Sequence, residues 1–104
     1  MGGSKLIEYL YDAIKATATT DTTISAEIAD AEGNVVTEGC ALMLHDREGN
    51  MISTYAGVYV AEINLWFFTI PAEDTKELRG RHMYCICNMN EQRNLCFKQP
   101  IYFV

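Results

Sequence analysis

The chain is short of cations, prolines, histidines and long apolar runs, and each shortage removes a class of function. Eight Lys and Arg stand against fourteen Asp and Glu, a net charge of −6. Phosphate contacts need clustered cations, so nucleic acid is not an expected partner. No apolar stretch approaches the roughly 20 residues of a bilayer span, and no basic–apolar–small leader opens the chain. Membrane insertion is not expected. Two histidines, His45 and His82, are the only imidazoles. No Gly-rich phosphate loop follows a strand, and neither a GxSxG nor an HExxH motif occurs. The sequence therefore assigns no catalytic residue, no cofactor and no enzyme activity.

The cysteines extend that reading. With no export signal, all four are expected as thiols. Cys85 and Cys87 at strand spacing share one face, roughly 7 Å apart, too far for a mutual disulfide. A zinc site built with Cys40 and Cys96 lacks the usual two-residue spacing of paired ligands, so no metal is expected and the thiols read as small apolar filler. Asp30, Glu32, Asp46 and Glu48 fall in turns whose Asp-x-Glu-Gly-Asn spacing is too short for an EF-hand loop.

What is present is a chain of 104 residues, 49% hydrophobic and 21% charged, which is ordinary composition for one globular domain. Ser4 followed by Leu6, Ile7, Leu10, Tyr11, Ala13 and Ile14 at three- and four-residue spacing predicts an amphipathic helix over 4–16. The helix would pack on its own sheet or reach a neighbouring subunit. Thr17 to Thr23 reads as an extended connector. From Ile24 the apolar period changes to two, the mark of half-buried strands.

Two similar reversals follow, Asp30-Ala31-Glu32-Gly33-Asn34 and Asp46-Arg47-Glu48-Gly49-Asn50, each succeeded by two apolar residues. Aspartate can bond its own turn, and Gly and Asn tolerate positive φ. Strands are predicted around 24–30, 35–37, 40–46 and 51–56, then across 58–63, 64–70, 81–88 and 95–104. In 64–70, Leu65 and Phe67 point one way and Trp66 and Phe68 the other, so burial on both faces is expected. Pro71 and Gly80 bracket a short helix, and Pro100 marks a bulge or edge. Seven to eight short antiparallel strands in about 80 residues predict an all-β two-sheet sandwich, with a small barrel as the alternative.

From Thr22 to Val104, about four-fifths of the chain, this order resembles the immunoglobulin-like N-terminal domain of phage baseplate upper proteins and related tail structural modules. The resemblance is carried by Ile24–Ile28 running into the first turn, Cys40–Leu44 into the second, Gly57-Val58-Tyr59, the apolar strand to Ile70, Leu78-Arg79-Gly80, and the strand bearing Tyr84 and Ile86. It implies an immunoglobulin-like β-sandwich over 22–104 preceded by a helix and Thr-rich connector over 1–21. It also implies a non-enzymatic virion part, present in the host cytoplasm during assembly, that contacts other tail or baseplate proteins or copies of itself as a homo-oligomer.

The expected interface residues are Leu6, Leu10, Tyr11 and Ile14 of the helix and Leu65, Trp66, Phe67 and Phe68 of the apolar strand. Residues 78–104 hold four cations and one acid; Arg79, Arg81, Arg93 and Lys98 could form a basic edge facing an acidic neighbour, but a solvated rim is the expected reading. A sugar-binding or host-adhesion module is the alternative, with Tyr55, Tyr59 and Trp66 as exposed stacking rings.

Overall fold

The computed structural model describes residues 14–90, 93–94 and 99–104. Among these residues nine strands form two layers. The larger sheet runs in the order β1 (Ile14–Ala16), β9 (Gln99–Phe103), β7 (Gly80–Asn88), β3 (Cys40–His45), β4 (Met51–Ala56), with β8 (Arg93–Asn94) also on β7. The smaller sheet is β2 (Thr22–Ala26), β6 (Leu65–Ile70), β5 (Val58–Val60). All pairings are antiparallel except β1 with β9, which is parallel and sets Ile14 beside Ile101.

Alternation builds the core. From the large sheet, Leu42, Leu44, Tyr84, Ile86, Ile101 and Phe103 point inward; from the small sheet and its continuation, Ile24, Ile28, Trp66, Phe68 and Ile70 meet them. Each inward position is two residues from the next, as a pleated strand requires. The chain crosses between layers at Gly57, whose N–H donates to the Cys40 carbonyl at 2.9 Å. A Cβ there would lie 2.5 Å from Phe68 Cε1 and 2.7 Å from Trp66 Cε3, so only glycine fits the crossing.

The two reversals are built alike. Asp30 Oδ1 accepts from the N–H of Glu32 (3.0 Å) and Asn34 (2.9 Å), and Asp46 Oδ1 accepts from Glu48 and Asn50 (both 2.9 Å). Gly33 and Gly49 take φ of 90° and 93°. Their flanks differ. The second turn joins six-residue strands, while the first is closed by a single bridge, Ala29 to Val35, with Val36 N–H bonded to Ile28 O. The strands expected over 24–30 and 35–37 are thus cut to β2 and that bridge.

Further expectations are corrected or sharpened. Ile14–Ala16 is a strand rather than the end of a helix over 4–16, because β9 offers it a ladder; the remainder of that helix lies outside the described residues. The sandwich therefore takes in residues before Thr22. The short helix, α1, covers only Ala72–Thr75, with Pro71 extended ahead of it and Gly80 opening β7. Its first N–H, on Ala72, donates to Asp21 Oδ1 at 2.7 Å, and the buried Thr75 hydroxyl donates to Thr20 O and accepts from Thr19 N–H. The Thr-rich connector is therefore a turn pinned to α1, not an extended tether. Pro100 stands opposite Met83 within β9, one residue before the first β1 rung, so among the described residues β9 has a neighbour on one side only there, consistent with the expected edge position.

Candidate interaction surface

The expected interface strand divides by face. Trp66 and Phe68 are 3% and 0% exposed and belong to the core, which corrects their assignment as contact residues. The Trp66 indole N–H donates to Val36 O at 2.7 Å, its ring lies 6.0 Å from Phe68 in a near-parallel stack, and Tyr59 tilts against it at 5.5 Å. A buried indole needs such an acceptor, and the short segment after the first turn supplies it.

Leu65 and Phe67 occupy the opposite face and are half-buried. The β5 register sets Val58 beside Phe67 and Val60 beside Leu65. Val58 is 63% exposed. These four side chains make one apolar patch on the outside of the small sheet. It continues over β2 through Ser25, opposite Phe67, and the Thr23–Thr69 pair, whose hydroxyls lie 3.0 Å apart. None of these residues is ionisable. On its outer side β5 has no strand beside it among the described residues. Val58 and Val60 were the part of the patch that sequence reasoning missed, although their period-two spacing ahead of the apolar strand carried the signal.

Leu6, Leu10 and Tyr11 lie outside the described residues, as does the side chain of Ile14. Arg79 is exposed and Arg81 half-buried. They line a cleft of about 220 Å³ with Asp46 and Glu48 of the second turn, and Arg79 Nη1 donates to Lys76 O and Leu78 O. The Arg93 side chain and Lys98 are outside the described residues.

His82 is buried, edge-on to Phe103 at 5.2 Å, with Nδ1 3.2 Å from Gly80 O. His45 has a buried Nδ1 without a hydrogen-bond partner. Among the described residues no group of three or more His, Cys, Asp or Glu could hold a metal. Cys40 is in the core, and Cys85 and Cys87 are buried on the outer face of β7, where Cys87 Sγ lies 3.1 Å from Met43 Sδ.

The three rings considered for sugar stacking are committed elsewhere. Trp66 is buried, the Tyr59 hydroxyl donates to Asn64 Oδ1 at 2.9 Å, and the Tyr55 hydroxyl donates to Asp74 Oδ2 at 2.8 Å. Burial, and then the Asp74 carboxylate, push the Tyr55 phenol above its ordinary value. Asp30 and Asp46 are held below the usual carboxylate range, chiefly by the backbone N–H of Asn34 and Asn50. Those shifts serve the turns, since each oxygen is already occupied by its own loop.

No family model matches the chain, and no curated protein matches it. Among solved structures, the Lin-41 filamin domain superposes with a TM-score of 0.60 over 86% of this chain and 82% of that one, at 14% identity. Likeness at that identity speaks to architecture alone. Together with the two packed sheets and the core between them, it identifies the fold as an immunoglobulin-like β-sandwich.

Proposed function

We propose that the chain is a non-enzymatic docking module that self-associates through the outer face of its small sheet. The observation that carries this reading is the apolar patch of Val58, Val60, Leu65 and Phe67 beside an edge strand. Copies that each carry −6 repel at a distance, so they meet best where no charge must be desolvated. Within the paired strands of this face the polar residues are Ser25, Thr23 and Thr69, none of them ionisable, and the exposed Glu27 and Glu62 follow beyond the strand ends. Its centre is apolar and its rim is hydroxyl, the usual anatomy of a contact surface.

On the family resemblance, the assembly is a phage tail or baseplate, and the chain is a virion part that contacts its copies or neighbouring tail proteins. For the sugar-binding alternative, Trp66 is enclosed and cannot serve as a stacking ring, which leaves Tyr55 and Tyr59 as the half-buried candidates.

Sedimentation velocity across a hundredfold concentration range tests the self-association. The expected result is a concentration-dependent shift that V58D and F67D abolish while far-ultraviolet circular dichroism is unchanged. A wild-type chain that stays monomeric throughout overturns the reading. The virion assignment is checked by looking for the chain in purified tailed particles.

A further inference from the structure

Strand β4 carries a bulge where it leaves the second turn. Leu44 pairs with Ser53 and His45 with Met51, so Ile52 is the extra residue and has no partner on β3. A bulge re-aims the side chain it frees. Ile52 is 42% exposed and lines an open groove of about 310 Å³ between β4 and the segment around α1. Tyr55 and Leu78, both half-buried against the core, complete the apolar floor. Three carboxylates, Glu73, Asp74 and Glu77, form the rim, and among the described residues no cation lines the groove. Tyr55 fixes Asp74 by donating to Oδ2 at 2.8 Å, which leaves Oδ1 without a donor among those residues. The Glu73 and Glu77 carboxylates have neither a hydrogen bond nor an ion pair there. Local structure accounts for only part of this charge. Glu73 and Asp74 suit the opening turn of α1, whereas Glu77 falls beyond its end, where the backbone carbonyls disfavour an acid.

We propose that this groove docks a basic segment of a partner protein, taking a lysine or arginine side chain whose aliphatic stem lies on Ile52, Tyr55 and Leu78. The cationic end meets Glu73, Glu77 and the open Oδ1 of Asp74. Long cationic side chains join an apolar stem to a charged head, and floor and rim offer the matching surfaces. Charge complementarity selects this occupant over a second copy, which would bring a net charge of −6 to an acidic rim.

The groove shares no residue with the apolar patch on the small sheet, so the two readings stand or fall separately. A ¹⁵N-HSQC titration of the intact chain with the basic peptide GRLKRLKG tests the proposal. The expected result is a saturable set of shifts centred on the amides of Ile52, Tyr55, Glu73, Glu77 and Leu78, and no binding of the acidic peptide GELEELEG. E73Q/E77Q should weaken the basic peptide about tenfold, as the loss of two partly exposed ion pairs would. Ile52→Thr, which leaves the charge unchanged, should weaken it about threefold by shortening the apolar floor. E27Q/E62Q removes two exposed acids elsewhere and should alter affinity less than twofold. Far-ultraviolet circular dichroism checks that each variant is folded. No saturable binding below about 1 mM, shifts centred on another face, binding of the acidic peptide, an equal loss in E27Q/E62Q, or an unchanged affinity in Ile52→Thr each overturn the proposal.

Discussion

The two sheets treat their outer faces in opposite ways. Strand β6 of the small sheet is apolar on both sides, yet only Trp66, Phe68 and Ile70 are enclosed, while Leu65 and Phe67 remain half-buried. Strand β7 of the large sheet has thiols and methionine on its outer side, and Cys85 and Cys87 are nonetheless buried there. Apolar character alone does not measure burial. A side chain is enclosed when another element lies over it, and the next layer, not the strand's own sequence, supplies that element.

The largest expected effect contrasts the faces of β6. Phe68→Ala empties a fully buried site and should cost about 3–5 kcal/mol. Phe67→Ala, one residue away, should cost less, about 1–2 kcal/mol, because that ring is only partly enclosed and leaves no closed cavity when removed. Urea denaturation of both variants at low protein concentration measures the difference. Equal losses would mean that the outer face is as enclosed as the inner one.

The crossing between the layers comes next. Gly57→Ala drives a methyl into Phe68 and Trp66, and should destabilise by about 1–3 kcal/mol through overpacking. A neutral result in thermal unfolding would show that the two rings can yield, and that the layers are less tightly joined than their contacts indicate.

The smallest effect belongs to the turns, which lie outside both layers. Folding lowers the Asp30 and Asp46 pKa values. Each charge therefore contributes stability above the ordinary aspartate value of about 3.9, and that contribution is lost as pH falls through the lower folded value. Asp30→Asn and Asp46→Asn should each shallow the decline in urea midpoint between pH 5 and pH 2. A slope matching the wild type would remove these carboxylates from the acid response. Of the two, Asp46→Asn should perturb the sandwich more, since its turn joins two full strands while the Asp30 turn closes a single bridge.

Much of this architecture is legible in the residues. The period-two runs place β3, β4, β6 and β7 within a residue or two, and each Asp-x-Glu-Gly-Asn segment folds as a turn through bonds to its own backbone. The candidate surface is legible only by half: Leu65 and Phe67 are readable as contact residues, but so are Trp66 and Phe68. Alternation says that neighbouring residues face opposite ways, and it does not say which way is in. Ile14–Ala16 fits a helical period as well as a strand, and only the presence of β9 beside it settles the matter. The same holds for Asp21 and Thr75, whose roles depend on partners more than fifty residues distant.

Local chemistry within five to nine residues was enough to determine the turns and the strand period. The tertiary structure decided which face of each strand is the core, why Gly57 must lack a side chain, and where an apolar patch stays open. Hydrogen bonds inside a turn close over a few residues and are written in them. Burial is a property of two surfaces that meet, and the second surface comes from elsewhere in the chain.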